Sequence, residues 1–417
     1  MRVLISSFEQ GLAALLAFGI NLWLIRTGSG SAYGVYVFWY NVALVCSNVL
    51  GSLTIAHLFP LPPGAAYYSA RRGPEGALLA GASLIIVASA VACTAFSMVL
   101  GDVQSRLGET SAGLFVAGYL LYAFVRALAF SRGKVVLPTL LTGAVLIAAV
   151  IAVPLESYLD GWHLNAGPIL ATIGLIYGLC SLAILLHLCN ESMPEWNRAT
   201  VRRYFRDYVR ASGWMLLGAM ATDSIGRFYT FVITGWFGPV ALARLSATQM
   251  LQRPAWLVLQ GWSQVSRPAM SATIASEGVG MLPRQVERGI ALTFAASMAW
   301  CVPMVLFWPT MTQILYGGRY ADGADLGVLW AGNVALGCAA MTLSNALQAM
   351  GAFRPLAFAD IGGAIASIGS TFVLIYVFGP IGSVAAIMIG QVTQIGLMAA
   401  CFVLRVRRRA ILPATHA

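Results

Sequence analysis

Charge is scarce in this chain. Only 10% of its 417 residues are Asp, Glu, Lys or Arg, against about 25% in soluble domains. Hydrophobic residues make up 59%, and the mean hydropathy is +0.80. That balance excludes a water-soluble globular protein and points to a polytopic membrane protein, with the bilayer as solvent for most of its length. The four histidines are scattered and form no metal-like cluster. Seven cysteines (Cys46, Cys93, Cys180, Cys189, Cys301, Cys338 and Cys401) fall in or at the ends of apolar segments, without paired or metal-ligand spacing, and read as free thiols. No phosphate-binding Walker loop and no dinucleotide fingerprint is present, so no cofactor is expected. The first apolar segment lacks a small-residue cleavage site followed by a soluble domain, and reads as a retained span. Segments expected outside the membrane are short, the longest being 154–166 and 310–325. Neither has room for a catalytic domain, and the cluster Glu156, Asp160 and His163 reads as a solvated loop, so an enzyme is not expected.

What is there is a series of hydrophobic stretches of bilayer-crossing length, roughly twenty residues each. Twelve are expected, at about 8–26, 34–59, 76–100, 111–130, 135–153, 167–189, 211–234, 240–262, 289–309, 326–350, 356–378 and 382–404. The formal charge of +10 would suit a nucleic-acid partner, but the basic residues lie between hydrophobic spans, as topology signals do. With the N-terminus inside, 18 of the 25 basic residues fall on inside segments. Three (Arg26, Arg106 and Arg319) fall outside, and Arg126, Arg227, Arg244 and Arg253 lie within spans. This bias places both termini in the cytoplasm.

Residues 190–210 divide six spans from six. From Val201, apolar residues recur as Val201, Tyr204, Phe205, Tyr208 and Val209, one helical face, while Arg202, Arg203, Arg206 and Arg210 lie towards the other. The expectation is a helix in the headgroup plane, a structural linker whose residues 198–210 meet anionic lipid. The expected organisation is an N-terminal bundle at 1–189, a cytoplasmic amphipathic linker at 190–210 and a C-terminal bundle at 211–417. A weak internal repeat supports it: Thr27-Gly28 after the first span is matched 207 residues later by Thr234-Gly235, and a long span followed by proline comes after each. Halves that both start inside would be related by an axis along the membrane normal.

The most informative stretch is 211–262. Its two spans carry Asp223, Arg227, Arg244 and Arg253. A charge in hydrocarbon costs about 3 kcal/mol on insertion scales, so these residues face partners or a watery cavity. Asp223 and Arg227, four apart, share a face and can pair. Gln249 and Arg253 share a face of the next span, and Pro254 is placed to kink it. Two readings stand: a positively charged polar cavity in a transporter, or a self-neutralised Asp223–Arg227 pair with Arg244 reaching for the surface. Arg126, near the inner end of the fourth span, either snorkels or receives an anionic headgroup. Asn41 with Asn48, and Asn345 with Gln348, share helical faces and read as interhelical glue or as cavity lining. Trp236, Trp262, Trp308, Tyr316 and Tyr320 at span ends fit an aromatic belt.

Several stretches resemble one family. GSGSAYGVYVFWYNVALV at 28–45, FGPVALARLSATQMLQRPAW at 237–256, ILYGGRYADGADLGVLWAGN at 314–333, LQAMGAFRPL at 347–356 and FGPIGSVAAIMIG at 378–390 are similar, in order and spacing, to the polysaccharide-exporter, O-antigen flippase-like branch of the multidrug/oligosaccharidyl-lipid/polysaccharide (MOP) flippase superfamily. Ala241 and Ala243 stand where that family usually has Gly and Tyr. The resemblance implies an all-α MATE-like fold of about twelve transmembrane helices in two pseudo-symmetric six-helix bundles. It also implies alternating access and a polyprenyl-diphosphate-linked oligosaccharide substrate, in a bacterial cytoplasmic membrane. Other polysaccharide-assembly proteins are possible partners, and the coupling ion is open. Arginine forks suit a diphosphate, so the expected substrate-binding residues are Arg253, Arg227, Arg244 and Arg126, with Asp223, Gln249, Asn41 and Asn345. A cation or drug exporter of the same superfamily would need buried carboxylates, and Glu9 and Asp360 read as near span ends. A lipid II flippase usually carries further spans, and a polymerase or ligase would need a large outside loop.

Overall fold

The computed structural model describes residues 2–59, 68–103, 110–159, 165–191 and 198–411. Among them the long elements are all helices. They are α1 (Arg2–Thr27), α2 (Gly30–Leu53), α3 (Tyr68–Val103), α4 (Ala112–Ser131), α5 (Val136–Leu159), α6 (Ala166–Glu191) and α7 (Arg198–Phe237). There follow α8 (Pro239–Met250), α9 (Arg253–Glu277), α10 (Leu282–Leu306), α11 (Trp308–Tyr316), α12 (Ala324–Ala349), α13 (Phe353–Phe378) and α14 (Gly382–Ile411). With α8 and α9 taken as one broken crossing and the short α11 set aside, the succession follows the expected spans. Nine stretches of the described residues are long and apolar enough to cross a membrane, one of which (353–407) contains both α13 and α14. The helices left out are α7 and the α8–α9 pair, which carry Asp223, Arg227, Arg244 and Arg253. This is a multi-pass membrane protein.

The chain divides into two compact units, Met1–Ala219 and Met220–Ala417. The expected separate surface helix at 190–210 is not a separate element. Residues from Arg198 run without a break into the seventh span as the 40-residue α7. Nothing there stops a helix: no proline intervenes, and Gly213 costs only about 1 kcal/mol. Residues 192–197, and Asp160 and His163 of the candidate loop cluster, lie outside the described residues.

Each unit is built around a largely buried helix, α4 in the first and α12 in the second. In the first unit α4 packs on α2, α3 and α6, while α5 packs on α1 and α6. Backbones touch where glycines face each other: a Cβ on Gly118 would lie 2.1 Å from the Gly174 carbonyl oxygen. Close backbone approach is how membrane helices associate without a hydrophobic drive. In the second unit α12 packs on α9, α10 and α14, and α13 packs on α14. Gly390 meets the Gly363 carbonyl at 2.9 Å from a notional Cβ. The pairings of α2, α3, α5 and α6 in the first unit thus recur as those of α9, α10, α13 and α14 in the second, which gives the weak sequence repeat a structural counterpart.

The break between α8 and α9 follows from Pro254. It has no N–H, and its ring clashes with the carbonyl four residues back, that of Met250, where α8 ends. The freed Leu251 carbonyl accepts from the Trp300 indole at 2.8 Å. Gln252, fully buried in the gap, donates to the Gly327 carbonyl at 3.2 Å and accepts from the Cys301 thiol at 2.9 Å. Both repairs fall within the second unit, so the break is a built feature. Two expected belt aromatics are core residues instead. Trp308 and Tyr316 are buried; Trp308 donates to the Tyr320 carbonyl and Tyr316 to the Ala247 carbonyl. Gly323 and Gly327 leave room for the Trp308 ring, which a Cβ would approach to 3.2 and 2.9 Å. Trp236 is exposed, as a belt residue would be.

Candidate functional site

The second unit carries a half-open cavity of about 420 Å³, within the ~300–1,000 Å³ of small-molecule sites. Its wall is unusual for a membrane-embedded space. Five amides face it: Gln249 from α8, Asn333 and Gln348 from α12, and Gln391 and Gln394 from α14. Trp256 of α9 and Trp330 of α12 add indole surface, Thr222 and Ser344 add hydroxyls, and α13 supplies Asp360. Gly337 makes the placing of Trp256 possible, since a Cβ there would fall 2.7 Å from the ring. Among the described residues no basic side chain lines the cavity.

Each amide is held by one end. Gln394 donates to Asp360 Oδ1 at 2.7 Å. Because a carboxylate only accepts, this fixes which end of Gln394 is nitrogen. Asn333 donates to Gln391 Oε1 at 3.1 Å, Gln348 to Ser344 Oγ at 3.0 Å, and the Tyr229 hydroxyl to Gln249 Oε1 at 3.4 Å. Trp330 is pinned by its indole N–H on Thr248 Oγ1 at 3.2 Å. The remaining amide donors and acceptors are available to a guest rich in hydroxyl groups.

Of the eight residues singled out from the sequence, Gln249 is on this wall. Asn345, on the same helix as Gln348, accepts from Ser263 Oγ at 2.9 Å and donates to Ser266 Oγ at 2.9 Å, tying α12 to α9. Asp223 and Arg227 form the expected i,i+4 pair on α7, at 3.0 Å. Arg244 pairs with Asp322 at 2.8 Å where both are exposed, as a snorkelling side chain would. Arg253 opens α9 at the helix break, half-buried, and its charge acts on the phenols of Tyr229 and Tyr316. Among the described residues it has no carboxylate within ion-pair distance. Its position at a helix N-terminus, where a cation is disfavoured, leaves it the in-span arginine most in need of an anion.

Arg126 and Asn41 belong to the first unit. Arg126 makes a two-pronged contact with Glu9, Nε and Nη2 each 2.6 Å from a carboxylate oxygen. Glu9 is fully buried and also accepts from Thr142 at 2.8 Å, and Thr142 meets the Tyr122 hydroxyl at 2.8 Å. Phe130 lies under the guanidinium at 5.7 Å. Asn41 donates to the Val37 carbonyl at 2.9 Å. Two basic residues assigned to inside segments prove partly structural: Arg132 and Glu75 form a buried pair at 2.7 Å, with Arg132 also on the Leu188 carbonyl, and Lys134 pairs with Glu191. His57 Nε2 meets Ser212 Oγ at 2.5 Å.

No protein-family model matches the sequence, and no curated protein matches it either. Solved structures do. An inward-facing multidrug resistance MATE family transporter of the MOP superfamily aligns over 96% of this chain and 96% of its own, with TM-score 0.73 and 14% identity. The fold is that of the MOP superfamily. The lipid II flippase MurJ, in an inward closed conformation, aligns over 99% of this chain and 94% of its own, with TM-score 0.68 and 12% identity. A MOP-superfamily transporter from Pyrococcus furiosus, described as having a binding pocket of reversed polarity, gives TM-score 0.63 and 14% identity over 99% of this chain and 95% of its own. At such identities the MOP likeness speaks for the fold, and the residues of the site must carry the rest.

Proposed function

We propose that the protein is a flippase that moves a polyprenyl-diphosphate-linked oligosaccharide across a bacterial cytoplasmic membrane by alternating access. The observation that carries this is the cavity of the second unit, with five amides, two indoles and two hydroxyls on its wall. Saccharides are recognised by such groups: amides match hydroxyls as both donors and acceptors, and aromatic faces cover the apolar faces of sugar rings. The diphosphate is a separate task, and Arg253 is the first choice for it, followed by Arg227, Arg244 and Arg126. Each charge-assisted contact would contribute roughly 1.5–3 kcal/mol. The basic start of α7 is assigned to anionic lipid at the cytoplasmic surface, with both termini on that side.

The deciding experiment is complementation of surface polysaccharide in a strain lacking the native gene, with protein level checked in the membrane. Gln391→Leu with Asn333→Leu, which removes the central amide pair while keeping approximate volume, should abolish export at normal protein level. Full export by that variant would refute the saccharide reading. A second reading has its own observation. Asp360 lines the cavity, and a buried carboxylate is what a cation exporter needs. Energised efflux of a cationic dye by wild-type protein, lost in Asp360→Asn, would favour it.

A further inference from the structure

Asp360 is at odds with the rest of the cavity. It is 8% exposed, it is the one charged group on a wall of amides, hydroxyls and indoles, and among the described residues no cation offsets it. One of its oxygens is held by Gln394. The other has no hydrogen-bond donor among the described residues, so it is an acceptor available to the guest. The groups around it are fixed as well. With one N–H committed to Asp360, Gln394 keeps its carbonyl oxygen and a second N–H. Gln391, committed through its oxygen to Asn333, offers its N–H groups one helical turn away on α14. A guest beside Asp360 thus meets two acceptors, the Asp360 oxygen and the Gln394 carbonyl, together with N–H donors of Gln391 and Gln394.

We infer that this cavity is a sugar-selecting subsite: it takes a neutral or ammonium-bearing sugar residue and rejects one that carries a carboxylate. This rests on the saccharide reading of the cavity proposed above. The physical reason is direct. A hydroxyl or an ammonium can donate to the two acceptors. A uronate would bring a second negative charge beside Asp360 on a wall where, among the described residues, no basic side chain receives it, and like charges so placed repel. Among the described residues no arginine lines this wall, and Arg227 and Arg244 are already paired with Asp223 and Asp322. Selection would therefore act on the sugar and leave the diphosphate to be read elsewhere.

The test uses the full chain in lipid nanodiscs and three synthetic probes, each a farnesyl diphosphate disaccharide. They differ only in the outer sugar: glucose, glucosamine or glucuronate. Binding is measured by isothermal titration calorimetry. The shared anchor cancels, so the comparison reads the sugar alone. The glucose and glucosamine probes should bind, and the glucuronate probe should bind at least about ten-fold more weakly, a lower bound for a like-charge contact. Asp360→Asn should close the gap between the glucuronate and glucose probes. Equal affinity for all three probes with wild-type protein would overturn the selection while leaving the flippase reading standing. A gap that persists in Asp360→Asn would overturn the role of Asp360. Failure of all three probes to bind would overturn the flippase reading and the inference together. The wild-type comparison does not depend on whether the variant folds.

Discussion

Removing the Arg126 side chain should destabilise the first unit by an amount that its surroundings set. Glu9 is fully buried, and two of the three hydrogen bonds described for its carboxylate come from Arg126. In Arg126→Ala only Thr142 remains, so a charge sits in the interior of a helical unit with no cation. Breaking a buried pair from one side costs about 3–5 kcal/mol. Because Arg126 itself is 32% exposed and water can reach the vacated place, we take the lower end. At ~2–4 °C per kcal/mol for a unit of this size, about 3 kcal/mol lowers the unfolding midpoint by about 6–12 °C. Thermal unfolding of the purified protein in detergent, followed by size-exclusion chromatography of heated samples, reads this directly. The double variant Glu9→Gln, Arg126→Met removes both charges and should return to within about 1 kcal/mol of wild type, since apolar replacement of a buried pair is often neutral. A single variant as stable as wild type, or a double variant worse than the single, would refute the reasoning. Export by the stabilised double variant then separates the two roles open to Arg126, because a folding role survives the exchange and a headgroup contact does not.

Arg253→Ala should abolish export at normal membrane level, and Arg253→Lys should restore it only in part, because a point charge replaces a fork; full export by Arg253→Ala with Arg227→Ala would remove both from the headgroup site. Asp223→Ala should be milder, as its partner Arg227 keeps its own charge, and complementation reads the ranking. Gly118→Ala puts a methyl into the Gly174 backbone and should cost more than the ~1–3 kcal/mol of ordinary overpacking, visible as loss of folded protein from detergent extracts, whereas Gly143→Ala, with open space around it, should not. Single cysteines at exposed positions of 154–166 and 190–210, in a cysteine-free background, should label from opposite sides of the membrane, and labelling of both from outside would overturn the assigned topology.

The helices were legible because the bilayer imposes a length and an apolarity that composition cannot hide, and because Pro254 breaks the chain where the rules for proline say it should. The division of the first unit from the second was legible only approximately. The periodicity from Val201 lies within α7, and it could not reveal that Ala211, Ser212 and Gly213 carry the same helix onward into the seventh span. The Asp223–Arg227 pair was read correctly from spacing alone, since both partners lie on one helix.

The cavity was not legible, and the reason is geometric. Its amides come from α8, α12 and α14, its carboxylate from α13 and its indoles from α9 and α12, so no window of sequence contains the site. Charge drew attention to Arg126, Arg227 and Arg244, yet the structure gives each of them a carboxylate: Glu9 from a helix more than a hundred residues away, Asp223 from the same helix, and Asp322 from a neighbouring turn. Position along a span was the wrong measure for Glu9 and Asp360. Each lies about two turns into its helix, and burial depends on what surrounds that turn. Small residues give the sign in hindsight. Gly337 and Gly363 on α12 and α13, and Gly390 on α14, let backbones and Trp256 come close, and the polar side chains Asp360, Gln391 and Gln394 lie within one turn of Gly363 or Gly390. In a membrane helix an amide costs stability unless it has a partner. Gln391 and Gln394 on one face of α14, beside a glycine that brings α13 into contact, therefore mark a site that uses them, even where no charge does.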